Sequence, residues 1–285
     1  LCVILMATGY PVGVILGGSI AALLLISFDW RSVFVFGAFA TLTCIPLVWF
    51  LLPESIEHLC DKKPRNALNR INATLRRMGH GAVAALPHRD SVHSSVITAL
   101  FSGPLLRTTV LLTVTYFCHI MTFYFILKWI PKIVVDMDFH PSSAGGVLVW
   151  ANVGGAFGSI ILGLLTQKYS VRVLVFAALV GAAVTVAIFG QGQADLTELA
   201  LMAGIAGMFT NSAIVGLYAL FADAFPTNLR ASGTGLVIGI GRGGAALGPI
   251  IAGFMFEADF GLDTVAIVMA SGSLLAAFVL LGLRR

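Results

Sequence analysis

Along this chain, apolar runs of about 20 residues alternate with short polar or charged breaks, and about 20 residues is the length a helix needs to cross a hydrocarbon core about 30 Å thick. Eight such runs stand near residues 4–27, 32–52, 107–127, 143–165, 173–190, 199–222, 232–255 and 264–283. Each predicts a membrane-spanning α-helix, because inside lipid a helix satisfies its own backbone donors and acceptors. The pattern is that of an all-α, polytopic membrane protein. One polar insert, 53–103, is too polar to cross and too short for a sizeable domain of its own. Within it, RNALNRINATLRRM (65–78) puts Leu68, Ile71, Leu75 and Met78 on one helical face and Arg70, Arg76 and Arg77 off it, which predicts an amphipathic helix lying on the cytoplasmic leaflet.

Composition agrees with the pattern. The 285 residues are 58% hydrophobic and 11% charged, and the mean hydropathy is +0.97. Basic residues are placed unevenly. If loops alternate sides, Lys62, Lys63, Arg65, Arg70, Arg76, Arg77, Arg89, Arg107, Lys168, Arg172, Arg230, Arg284 and Arg285 share one side, against Arg31, Lys128 and Lys132 on the other. Positive charge collects on the cytoplasmic side, so the C-terminus is expected in the cytoplasm. The net charge of +4 is therefore a matter of topology, and no nucleic-acid partner is expected, since no aromatic or groove-reading motif accompanies the basic residues. Cys2, Cys44, Cys60 and Cys118 have no pair spacing, so neither a disulfide framework nor a metal site is expected. No initiator Met, charged leader or cleavable signal precedes the first run, and the chain reads as a fragment.

A weak repeat links GVILGGSIAA (13–22) with GAALGPIIAG (244–253). Both segments run from inside to outside, which implies parallel symmetry about the membrane normal, as in carriers built from two six-helix halves. ATGYPVGVILGG (7–18), DWRSVFVFGA (29–38) leading to LPESIEHL (52–59), YFCHIMTFYFILKWIPK (116–132), YALFADAFPTNLRASGTG (218–235) and GIGRGGAALGP (239–249) resemble the major facilitator superfamily and, within it, the aromatic acid:proton symporter branch. The resemblance implies the major facilitator fold, with these eight helices as family helices five to twelve of an expected twelve. Residues 1–52 are then the last two helices of the N-terminal bundle, 53–104 the cytoplasmic central loop and 105–285 the C-terminal bundle. The loop GLLTQKYSVR (163–172) departs from the superfamily pattern: Gln167 stands where an acid is usual and Ser170 where a glycine is, while Gly163, Lys168 and Arg172 remain.

Polar groups inside the spans carry the chemistry, because a charge in hydrocarbon needs a cavity or a partner. Arg242 and His119 each lie about 12 residues into their spans, about 18 Å deep at 1.5 Å per residue. Asn152 and Asn211 reach similar depth from the opposite side. Arg242 is expected to hold a carboxylate in a planar fork or to pair with an acid elsewhere, the alternative being a structural arginine bonded to backbone carbonyls. His119 is a candidate for substrate contact or proton relay, or for a neutral bond between helices. Asn152 and Asn211 serve either the site or helix packing. Tyr124 and Trp150 are candidates for stacking on an aromatic ring, or else belong to packing and the interfacial belt.

Gly9, Gly13 and Gly17, with Gly244 and Gly248, predict smooth faces for close helix packing at a moving interface. The resemblance also implies an inner gate at Asp223 and Arg230, with the loop residues Gly163, Gln167, Lys168 and Arg172. Neither a catalytic constellation nor an ATP-binding motif is present in the sequence. The expectation is a cofactor-free, monomeric secondary carrier in the bacterial inner membrane, taking up a small organic anion, an aromatic carboxylate, with protons by alternating access. The alternatives are a sugar or drug carrier of the same fold, an intramembrane enzyme built on His119, and a transport-inactive sensor or scaffold.

Overall fold

The computed structural model describes residues 2–86, 96–140, 143–191 and 195–283. Among the described residues the regular structure is entirely helical: α1 (Cys2–Ser27), α2 (Arg31–Leu51), α3 (Ile56–Lys62), α4 (Ala67–Arg77), α5 (Val96–Leu100), α6 (Gly103–Asp136), α7 (Ser143–Leu165), α8 (Val171–Phe189), α9 (Leu196–Ala224), α10 (Arg230–Gly241), α11 (Gly243–Glu257) and α12 (Leu262–Leu281). Among the described residues, eight segments are long and apolar enough to cross a membrane, in the places the sequence pattern predicts. The seventh, Arg230–Glu257, departs from expectation: it is two helices, α10 and α11, parted at Arg242. Gly241, Gly243 and Gly244 surround that point and weaken helical preference. Ala245 N–H donates to the Arg242 carbonyl at 2.9 Å, a tightened three-residue turn.

The chain divides into two compact units, Leu1–Ser19 with Ser95–Arg285, and Ile20–Ser94. In the first, α6 is the hub, packing on α7, α9, α10, α11 and α12, while α8 packs on α9 and α12. Its core has two clusters. One gathers Leu112, Tyr116, Leu179, Leu217, Phe221 and Phe225; the other gathers Phe125, Ile130, Phe189, Leu199 and Val265.

The tightest crossing is α7 on α9, where backbone meets backbone. A Cβ added at Gly154 would fall 1.9 Å from the Gly204 carbonyl oxygen, and one at Gly207 would fall 2.0 Å from that of Ala151. No side chain larger than hydrogen fits, and in lipid such van der Waals contact is what holds helices together. Gly244 and Gly248 serve α11 in the same way. Their added Cβ atoms would lie 2.3 Å from the Phe117 carbonyl oxygen and 2.6 Å from that of Met121, so α11 lies directly on α6. Cβ atoms added at Gly9, Gly13 and Gly17 meet nothing within 4 Å.

The boundary between the units falls within α1. Ala7 packs against the first core cluster, Thr8 and Pro11 are buried, and Pro11 shares a cleft with Phe123 and Leu127 of α6. The first turns of α1 therefore go with the C-terminal bundle.

In the second unit, α2 buries none of its residues among those described. The insert forms a small helical pair. Ile71 of α4 is 2% exposed and closes with Leu75 onto Leu59, Cys60 and Ile56 of α3, so the stripe expected to lie in lipid is covered instead by a neighbouring helix. Only Met78, at its C-terminal end, stays 61% exposed. Asn72 fastens the following strand of chain by accepting from Val83 N–H (2.9 Å) and donating to the Val83 carbonyl (3.0 Å). Glu54 sits 3.6 Å from Arg70 and 3.9 Å from His58.

Gly207→Ala or Gly154→Ala is expected to destabilise the bundle by about 1–3 kcal/mol, the usual cost of overpacking. A lowered melting temperature of the detergent-purified protein, read by circular dichroism, checks this.

Candidate functional site

Arg242 stands at the joint between α10 and α11 and is exposed on the surface of its unit. Glycines on both sides let the joint lie on the aromatic face of α6. A Cβ at Gly241 would come 2.3 Å from Tyr116 Cδ1, and one at Gly243 3.2 Å from Phe117 Cε2. The Arg242 guanidinium is close enough to Tyr116, Tyr218 and Tyr124 to couple to them electrostatically. Tyr10 of α1 joins the same group. One cation thus lies near four phenols drawn from α1, α6 and α9. Among the described residues no carboxylate lies within 4 Å of it.

The phenols are themselves organised. Tyr116 Oη and Tyr218 Oη are 3.1 Å apart. Tyr116 stacks edge-on against Phe221 with centroids 5.6 Å apart, and Tyr124 packs edge-on with Phe123 at 5.5 Å. Tyr116 is 1% exposed, whereas Tyr218 and Tyr124 are half-buried and Tyr10 is exposed. A planar cation bordered by aromatic faces and hydroxyls suits a flat anion with an aromatic body.

Of the residues predicted from sequence, Tyr124 alone joins Arg242. His119 is turned away and fully buried. Its Nδ1 lies 2.8 Å from Ser273 Oγ and its Nε2 2.9 Å from the Thr210 carbonyl. A carbonyl only accepts, so Nε2 carries the proton and Nδ1 accepts from the serine hydroxyl. Both ring nitrogens are spent on tying α6 to α9 and α12, which leaves no atom for substrate. Thr122 completes the tie, donating to the Met269 carbonyl (2.6 Å) and accepting from Ser273 N–H (3.0 Å).

Asn152 donates to its own helix at the Leu148 carbonyl (2.8 Å). Asn211 bonds across to α7 at Ser159 Oγ (2.8 Å) and the Gly155 carbonyl (3.1 Å). Both asparagines border the shallow cleft that holds Pro11 and Phe123. Trp150, 51% exposed, lies in a separate cleft near the start of α9, with Leu196 and Leu201.

Where α7, α8 and α9 meet their connecting turns, Arg172 and Asp223 line one cleft with Thr166, Tyr169 and Ser170. Arg172 donates to the carbonyls of Leu281 (2.8 Å) and Leu280 (3.3 Å), and Arg107 donates to that of Gly282 (3.0 Å). Two cations thus satisfy the orphan carbonyls and the negative dipole end of α12. Asp223 and Arg230 are both exposed, and among the described residues no ion pair within 4 Å joins them. Gly163 is buried and accepts from Thr166 Oγ1 at 2.7 Å. Gln167 is exposed, and Lys168 Nζ lies 5.8 Å from the centroid of the Tyr169 ring.

The family model of the Major Facilitator Superfamily matches residues 3–149 and again 112–285. The chain belongs to the Major Facilitator Superfamily. Its relatives in the superfamily include a gallate transporter of Pseudomonas putida, 29% identical over 99% of this chain. The 4-hydroxybenzoate transporter PcaK of Acinetobacter baylyi is 29% identical over 98% of the chain, and a 3-(3-hydroxy-phenyl)propionate transporter of Escherichia coli is likewise 29% identical over 98%. The chain spans 63% of the length of the first two and 62% of the third. Superfamily membership fits a multi-pass inner-membrane protein.

Sequence reasoning missed Tyr10, Tyr116 and Tyr218. A partial signal was available: all three stand inside spans, on helices α1, α6 and α9. Aromatic residues are common in spans, however, and nothing in one sequence separates those that face a cation from those that pack.

His119→Gln is expected to lower stability by about 1–2 kcal/mol, the upper range for hydrogen bonds between membrane helices, without changing substrate affinity. Thermal unfolding and uptake KM, measured on the same preparation, separate the two effects.

Proposed function

We propose that this chain forms the larger part of a secondary carrier that takes up a small aromatic carboxylate with protons by alternating access, working as a monomer with its C-terminus in the cytoplasm. One observation supports this most: Arg242 is a permanent cation within a span, near four tyrosines and without a carboxylate partner among the described residues. Such a charge resists being sealed from water until an anion compensates it. Relatives named as gallate, 4-hydroxybenzoate and hydroxyphenylpropionate transporters favour an aromatic acid as that anion. The carboxylate occupies the guanidinium fork, and the ring lies against Tyr124 and Tyr10.

Proton coupling rests on resemblance to the aromatic acid:proton symporter branch, and the cytoplasmic C-terminus on the asymmetry of basic residues. In this scheme the cleft holding Arg172 and Asp223 belongs to the inner gate, together with Arg230, Gly163, Gln167 and Lys168. The bare faces of Gly9, Gly13 and Gly17 are the smooth surface of the moving interface.

In the natural full-length protein, Arg242→Ala is expected to cut uptake of labelled benzoate-type acids by about 100-fold or more, the effect of truncating one partner of a charge contact that loses its water when the anion binds, with membrane insertion intact. Unchanged uptake removes Arg242 from the mechanism. Competition by aromatic acids, and none by sugars or organic cations, is the expected outcome of a substrate panel.

A further inference from the structure

Asn152 and Asn211 hold more hydrogen-bonding capacity than the helices use. Asn211 spends both amide protons on α7, at the Gly155 carbonyl (3.1 Å) and at Ser159 Oγ (2.8 Å), whose own proton goes to the Gly155 carbonyl (2.8 Å). Asn152 spends one of its two on the Leu148 carbonyl (2.8 Å). A carbonyl only accepts, so in both side chains the end that meets it is the amide nitrogen, and neither amide can be flipped. Among the described residues neither amide oxygen meets a donor. Nor is either sealed off, for the side-chain atoms that are both fully buried and unpartnered are Thr115 Oγ1 and Thr234 Oγ1. Each asparagine is 6% exposed, and the surface that stays open borders the cleft that both line.

The cleft fits a small neutral group. Its volume is about 20 Å³, room for one water-sized group. Among the described residues no charged side chain lines it, and Pro11, Phe123 and Leu127 supply apolar wall. Thr210, which also lines it, keeps its proton on its own helix, at the Ala206 carbonyl (2.7 Å). What is left is two amide oxygens and the second N–H of Asn152, in surroundings where an unpaired polar group is costly. A hydroxyl has one proton to give and lone pairs to receive with, and it matches that set. An ammonium or a carboxylate brings a charge that nothing in the cleft compensates.

We infer that the Asn152–Asn211 cleft is the subsite for a ring hydroxyl of the substrate, and that it sets a preference for hydroxylated over unsubstituted aromatic acids. This rests on the proposal that the chain belongs to a carrier of aromatic carboxylates. Phe123 lines the cleft and packs edge-on against Tyr124 with centroids 5.5 Å apart, so the aromatic surface of α6 continues from the cleft to Tyr124.

The test uses the full-length natural protein in proteoliposomes with labelled benzoate, 3-hydroxybenzoate and 4-hydroxybenzoate, acids that differ only in the presence and place of one hydroxyl. The readout is the KM for benzoate divided by that for the better hydroxy acid on the same preparation, so a loss of folded protein cancels. Wild type is expected to give a ratio of about three to ten, the range for a neutral hydrogen bond. Asn152→Leu gives up a single bond within its own helix and is expected to bring the ratio close to one. Asn211→Leu is expected to lower it as well, and calorimetric binding to detergent-purified protein gives the same ratio where uptake is too weak to measure. A wild-type ratio near one, or a ratio that both variants leave as it was, overturns the subsite; loss of uptake in Arg242→Ala then leaves the carrier proposal standing. If none of the three acids is carried or bound, both proposals fall together.

Discussion

Hydrocarbon offers no hydrogen bonds, and this constraint arranges most of what the bundle does with its polar side chains. Each polar group in a span must find its partner in protein. His119 bonds Ser273 and Thr210, Thr122 bridges two backbone groups of α12, and Asn211 reaches Ser159 and Gly155 on α7. Arg107 and Arg172 close the carbonyl end of α12. The groups so satisfied are structural. They fix which helices are neighbours and at what height, and apolar packing alone, lacking direction, would leave that loosely defined.

Against that background Arg242 is the exception. It has hydroxyls for company and, among the described residues, no opposite charge. A phenol solvates a guanidinium without neutralising it, so the positive field persists beside the tyrosines. Aromatic faces next to a charge suit a flat, anionic ring; Tyr10, Tyr124 and Tyr218 keep open surface, whereas Tyr116 is buried.

The crossings were legible in the sequence because the period and length of apolar runs follow directly from bilayer thickness. Arg242 was legible for the same reason, as a charge where none is tolerated idly. His119 looked equivalent to Arg242 by depth, and depth says nothing about azimuth: one residue points into the bundle between α9 and α12, the other toward the tyrosines. The asparagines illustrate the same gap, since an amide at mid-span serves a neighbouring helix as readily as a ligand. The amphipathic stripe of α4 was read correctly as a stripe. Its cover could not be, because Leu59 on α3 and a lipid acyl chain are equally apolar. Gly154 and Gly207, which make the closest helix crossing, went unnoticed beside glycines that recur with stricter spacing, because small residues announce a contact only once two helices are laid together.

The interruption between α10 and α11 falls at Arg242, with Gly241, Gly243 and Gly244 beside it. Because those neighbours carry no side chain, this crossing comes closest to the aromatic rings of α6 at the very residue that bears the charge: Gly241 lies against Tyr116 and Gly243 against Phe117.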